Sequence, residues 1–303
     1  MTASTSSETE RTLTSDISAA PPVSPTKEGE LGRLSDLPDF RTPPVSEVAL
    51  GIQFDRLQEF QLVHGGLLWE RYRSAFPRTE VHEPIDPAFE TFGGRQQPLQ
   101  FQFRIAPMSL IPRFWYLSEG GNAIIQVQPD RIVRNWRKTA PLDSYPRFEA
   151  LRGELEGNVN TLCQFAKDEG IGEIVPNQCE LTYVNDIVVG DIGADRTENL
   201  FKVWRNVGDN LSGSVEDVSF QWRYIMRDKA TNNPIGRLVA IAMPALSLEG
   251  RPLIRFTLTA RGAPAITTLD GALEFLDTGR EYIVRAFAEL TTDEMHGVWG
   301  REI

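Results

Sequence analysis

What this sequence lacks narrows its chemistry before any residue is assigned a task. Only two cysteines occur, Cys163 in an expected helix and Cys179 entering an expected strand; that is neither a disulfide framework nor a metal-ligand spacing. The histidines are His64, His82 and His296, and no two are spaced to share a metal on one helix turn or strand. The expectation is therefore no metal and no cofactor. No apolar run reaches the roughly 20 residues that cross a bilayer; the longest candidate, Leu238 to Leu248, is short and contains Pro244. The first residues, Met1-Thr-Ala-Ser-Thr-Ser-Ser-Glu8, have neither the basic nor the apolar region of an export signal. These absences predict a soluble cytoplasmic protein with no membrane contact.

Catalytic motifs are missing as well. Gly170-Ile-Gly172 follows an expected helix instead of opening one, and no Gly-Lys-Ser/Thr occurs, so both phosphate-loop readings fail. Ser212-Gly-Ser214 lacks the strand-to-helix turn of a hydrolase nucleophile, and Asp191 and Asp195 fall in a glycine-containing loop. His296, with Asp293 and Glu294 nearby, has the composition of a general base, yet a histidine among acids near the chain end reads first as solvated. No complete catalytic constellation remains, which leans away from an enzyme.

What is present begins with charge. The formal net charge is −11, which argues against general polyanion binding. Its distribution is uneven: residues 1–40 hold seven acids and three bases, whereas 101–140 hold Arg104, Arg113, Arg131, Arg134, Arg137 and Lys138 against Glu119 and Asp130. A basic segment lies inside an acidic whole.

Residues 1–42 are rich in Ser, Thr, Pro and acids, too poor in apolar residues to offset the entropy of ordering, and read as a disordered tail. From Pro43-Pro44 onward, period-two alternation gives a strand at 45–54, and helical spacing from Leu57 to Phe76 gives a helix that Pro77 ends. Residues 78–98 read as a loop. A hairpin follows, Arg113–Leu117 into Ala123–Trp136, then a helix with the stripe Phe148, Leu151, Leu155, Val159, Leu162 and Phe165, capped by Ser144 and closed by Gly170, then a strand through Leu181, Tyr183 and Asn185. This β-α-β-β-α-β order over 43–190 matches the ferredoxin-like arrangement. Residues 191–303 supply a β-meander and a long helix from Thr268 to Leu290, packed on the first half. The predicted class is α+β with antiparallel sheets.

The candidate binding residues are arginines on strand faces. Val218, Phe220, Trp222, Tyr224 and Met226 alternate with Ser219, Gln221, Arg223, Ile225 and Arg227, and Arg255, Thr257, Thr259 and Arg261 repeat the pattern two strands later. On one sheet these arginines line the non-core face, where they either grip an anion or pair with local acids. Arg280 falls in an apolar helix stripe and must snorkel out or find a buried acceptor; snorkelling is the expectation. Trp299 and Arg301 close the chain, with Trp299 packing on the body or anchoring a partner.

Pro43-Pro44-Val-Ser-Glu-Val-Ala-Leu-Gly-Ile-Gln-Phe54, Phe76-Pro77, Leu181-Thr-Tyr-Val-Asn-Asp-Ile187 and the closing Ala286-Phe287, Leu290-Thr291, His296 and Trp299-Gly-Arg301 together resemble a sporadically distributed prokaryotic family. The resemblance spans residue 43 to the end. It implies a bacterial source and carries over no activity, ligand or site.

These features rank three functions. First is a non-catalytic binding or accessory protein acting through a protein partner, with a homo-oligomer also open. Second is RNA binding or processing on a ferredoxin-like sheet, using Trp115 and Trp136 as stacking platforms. Third is a small anionic ligand held where the terminal helix closes over the meander, with Arg223, Arg255 or Arg280 meeting its charge.

Overall fold

The alternation of Val48, Leu50, Ile52 and Phe54 with Glu47, Ala49, Gly51 and Gln53 dictates a strand with one face in a core. In the computed structural model, which describes residues 36–93, 111–140, 143–188, 199–204, 219–247 and 249–302, this strand, β1 (Val45–Phe54), is the centre of a sheet. The chain continues through α1 (Leu62–Tyr72), β2 (Arg78–His82), β3 (Arg113–Leu117), β4 (Ala123–Gln128), β5 (Arg131–Arg137), α2 (Phe148–Glu169) and β6 (Pro176–Val188). Beyond a short 3-10 turn at Lys202–Trp204 come β7 (Phe220–Arg227), β8 (Pro234–Leu246), β9 (Pro252–Gly262), α3 (Leu269–Leu290) and α4 (Asp293–Val298). Most of the expected tail, Arg104, Asp191, Asp195 and Ser212 to Ser214 lie outside the described residues.

The strands form a nine-stranded sheet in the order β2-β3-β4-β5-β1-β6-β9-β8-β7, and every pairing is antiparallel. The class is α+β, as expected. The order over residues 45–188 is β-α-β-β-β-β-α-β, not the expected β-α-β-β-α-β, for two reasons. Arg78–His82, read as loop because prolines follow it, adds as a short edge strand on β3, where polar residues cost nothing. Ala123–Trp136 is broken at Pro129-Asp130 into two paired strands. The meander β7-β8-β9 forms as expected, and β9 pairs with β6.

The helices lie on one face. α2 packs on β5 and β1, α3 on β6, β9 and β8, and α1 on β3. The core between them joins Leu50, Ile52 and Ile132 of the sheet to Leu155, Val159 and Leu162 of α2 and to Leu276, Ile283 and Phe287 of α3; each such side chain contributes about 2 kcal/mol on burial. α2 starts after Arg147, not at Ser144, and Gly170 ends it in the left-handed conformation, φ 65°. α1 starts at Leu62, five residues later than its apolar spacing predicts, because Leu57 and Phe60 are buried from the preceding turn. The C-terminal residues fold back: Trp299 is 3% exposed and stacks beside Phe287 and Phe40, while Arg41 and Thr42 donate their backbone N–H groups to Gly300 and Trp299.

Two glycines in α1 have opposite roles. A Cβ at Gly65 would lie 2.3 Å from the Phe114 ring, whereas a Cβ at Gly66 would meet nothing within 4 Å. Gly66→Ala is therefore expected to stabilise the protein by up to about 1 kcal/mol through helix propensity, and Gly65→Ala to destabilise it by overpacking. Urea unfolding of the two variants checks this; equal shifts of the same sign would contradict the packing described here.

Candidate functional site

The sheet face away from the helices is polar and partly covered by its own chain. After β2, residues 83–93 leave the edge and run across this face as a strap. Four side chains directly opposite one another on β4, β5, β1 and β6, namely Gln128, Arg131, Gln53 and Gln178, form the row that holds it. Gln128 accepts from Ile85 N at 3.0 Å and donates to Ile85 O at 2.8 Å, so its amide imitates a strand partner. Gln53 accepts from Ala88 N at 2.9 Å, Gln178 from Glu90 N at 3.3 Å, and Arg131 donates to Asp86 O at 3.1 Å. Farther on, Arg237 donates to Thr91 O and to the Glu90 carboxylate, and its guanidinium lies over Phe92. Most of these contacts read backbone, not side chains.

Beneath the strap, two relays of amides are oriented by what each group can donate. Arg113 donates to Gln126 Oε1 at 2.9 Å, Gln126 to Asn135 Oδ1 at 2.7 Å, and Asn135 to Glu47 Oε1 at 2.7 Å. In parallel, Arg131 donates to Gln53 Oε1 at 2.8 Å, Gln53 to Asn177 Oδ1 at 2.9 Å, and Asn177 to Asp55 Oδ1 at 2.8 Å. Each chain begins at a guanidinium and ends at a distant carboxylate. Among the described residues neither arginine has a carboxylate in direct ion-pair contact. Burial, and then the charge of Arg131, push Arg113 below its ordinary value; burial also lowers Arg131, with Asp130 and Glu180 opposing.

The donors left over converge on this face. Arg113 Nε, Trp115 Nε1, Arg131 Nε and Arg237 Nη1 are all buried and, among the described residues, without a hydrogen-bond partner. An unmet buried donor costs about 1–3 kcal/mol, more when charged, so four on one face make it a place where acceptors are wanted. Trp115 is itself fixed, with His82 stacked at 4.0 Å on its ring and Arg113 over it at 5.4 Å. A hollow of about 40 Å³ opens beside the strap between Gly51, Ala88, Arg131, Gln178, Glu180 and Arg261.

The arginines selected from the sequence are distributed differently. Arg223, Arg255 and Arg261 do share the open face by register, but local acceptors hold the latter two. Arg255 is bidentate on Asp186 at 2.7 and 2.9 Å, which raises its pKa, and Arg261 binds Glu180 at 2.5 Å. Arg227 bonds Asn232 O at 2.8 Å at the β7–β8 turn. Arg280 does not snorkel: its side chain is 11% exposed and in contact with Glu149 at 3.0 Å on the helix side of the sheet. Trp299 packs into the core, and Arg301 lies against His296. Trp136 faces the helices and is buried, so it offers no platform on the open face. The residues missed were Gln53, Gln126, Gln128, Gln178 and Asn135, whose signal was amides at alternate strand positions.

His296 is buried, not solvated. Its Nδ1 lies 3.1 Å from Arg301 Nη1 and its Nε2 2.9 Å from Thr291 Oγ1. Arginine only donates, so Nδ1 is bare and Nε2 carries the proton; the 3.5 Å approach of Asp293 to Nδ1 is then no hydrogen bond. Burial and Arg301 lower its pKa. Among the described residues no group of three or more His, Cys, Asp or Glu could hold a metal ion, and no helix is long and apolar enough to cross a membrane. Among known proteins, no family, no curated sequence and no solved structure matches this chain.

Two outcomes follow. Gln128→Ala removes both bonds to Ile85, each worth roughly 1 kcal/mol, and is expected to speed chymotryptic cleavage at Phe89 about tenfold with an unchanged folded core; an unchanged rate would mean the strap is held elsewhere. Because neutral His296 is favoured in the folded state, its contribution is present above the ordinary histidine value near ~6.5 and is lost as pH falls through and below it. The wild type should lose more stability between neutral and mildly acidic pH than His296→Gln, measured by denaturant midpoint; parallel curves would contradict this.

Proposed function

We propose that this protein is a non-catalytic binding protein whose strapped sheet face takes an acidic, extended segment of a protein partner. The observation that carries the reading is the set of four buried N–H donors on that face that have no acceptor among the described residues, three of them on arginines. A carboxylate-bearing ligand supplies what they lack, because charge-assisted bonds to guanidinium are among the stronger polar contacts in proteins. The strap supports the choice of polypeptide over a free anion: the same face already holds an extended chain by its backbone, with the Glu90 carboxylate on Arg237. Stacking of a nucleic-acid base has less support, since one face of Trp115 is taken by His82 and the protein carries a net charge of −11.

The test is fluorescence anisotropy with a labelled glutamate-rich peptide, alongside an oligouridylate of equal charge and inorganic phosphate as competitor. The peptide is expected to bind the wild type, to weaken as salt is raised, and to lose at least tenfold in affinity to Arg113→Gln/Arg131→Gln. Binding unaffected by that double substitution, or preference for the oligonucleotide, would overturn the reading.

A further inference from the structure

On the opposite side of the sheet, a cavity of about 60 Å³ lies between the segment 38–45, β6 and α3. Its walls are mostly apolar, with Phe40, Ile283 and Phe287 among them, and its polar lining is Tyr145, Tyr183, Asn185 and Arg280, with Asp39 and Arg147. Tyr145 and Tyr183 share a hydroxyl–hydroxyl bond of 2.8 Å. Two hydroxyls and one bond leave one O–H proton with no acceptor among the described residues. Asn185 is 2% exposed, its Nδ2 donates to Phe256 O at 3.0 Å, and among the described residues its Oδ1 accepts nothing. Arg280 Nε is also buried and without a hydrogen-bond partner among the described residues, so among them the cavity offers two donors, the spare tyrosine O–H and Arg280 Nε–H, and one acceptor, Asn185 Oδ1.

Charge at the site is already balanced. Arg280 stands against Glu149, and Arg147 against Asp39, so an ion placed in the cavity would find no unmatched counter-charge. Burial pushes both tyrosines above their ordinary values, which keeps their hydroxyls protonated at neutral pH. Water fits the volume, but a buried water wants roughly three polar partners, and filling the cavity with waters would leave most of them facing the apolar wall. A single small molecule with one hydroxyl or amide, and an alkyl body against Phe40 and Phe287, meets the polar groups and covers the apolar wall, an amide oxygen accepting from both the tyrosine pair and Arg280 Nε.

We infer that this cavity is a binding site for a small neutral alcohol or amide head group, which donates to Asn185 Oδ1, accepts from the tyrosine pair and lays its alkyl end on Phe40 and Phe287. The lid is the segment carrying Asp39 and Phe40. Arg147 holds it through Asp39 Oδ1 at 3.1 Å and Phe40 O at 3.4 Å, and does so at φ 73° and ψ 157°, a strained region nearly confined to glycine. The site is independent of the strapped face.

The experiment uses the full chain labelled with 3-fluorotyrosine, with the Tyr145 and Tyr183 resonances assigned through Tyr145→Phe and Tyr183→Phe, and is titrated with 1-propanol, propionamide and propionate. The two neutral probes are expected to shift both resonances saturably, and propionate at least tenfold less effectively. Asn185→Leu should weaken the neutral probes at least tenfold. Because that variant also removes the bond to Phe256, Val284→Phe, which fills the cavity and leaves every polar group, serves as the second variant and should abolish saturation. Linear shifts equal to those of the other tyrosines, saturation that survives Val284→Phe, or propionate binding as well as propionamide would overturn the inference; the first of these outcomes assigns the cavity to water alone.

Discussion

Among the described residues the long helices all lie on one face of a nine-stranded sheet, and the constraint on which the rest depends is what that leaves on the other. A sheet face without helices must be wetted or must satisfy its own polar groups. Here Gln53, Gln126, Gln128, Gln178, Asn135 and Arg237 are buried on it. Burying amides is tolerable only when each finds its partners, and the two relays, together with the strap's backbone, provide them. The strap and the amide row are one device: neither would be stable in its observed place without the other.

The same accounting separates structural arginines from available ones. Arg255 and Arg261 are neutralised across adjacent strands by Asp186 and Glu180, and Arg134, on the helix side, is neutralised by Glu154 of α2. Arg113 and Arg131 instead reach carboxylates only through two intervening amides. A relay of this kind orients the guanidinium with no carboxylate in direct contact, although Asp130, Glu180 and Asp86 act on Arg131 through space, so it holds a donor in readiness at a cost in stability. That combination supports reading the face as a binding surface.

Much of the architecture was legible in the sequence where one physical period governs it. β1, α2 and α3 stand where alternation or helical spacing put them, because each buries a single continuous face; the meander forms too, but its edge strand β7 leaves Trp222 and Tyr224 exposed. What escaped was set at long range. Arg78–His82 has the polar composition of a loop and becomes a strand only because β3 offers it an edge. The strap is irregular by itself and is ordered by glutamines from three other strands. Arg280 was identifiable as an anomaly in its stripe, yet its partner, Glu149, lies on another helix, so its buried contact could not be read locally. The acids that occupy Arg255 and Arg261 come from β6, nearly seventy positions or more away, and so could not be read from the meander's own alternation.

The central claim is that the Nε–H groups of Arg113 and Arg131 are held ready for an acidic ligand. The most direct measurement follows their side-chain resonances in nitrogen-15 spectra of the wild type, before and after a glutamate-rich peptide is added. Both signals are expected to shift when the peptide binds, as each N–H gains an acceptor. Signals unmoved while the peptide binds would contradict the claim.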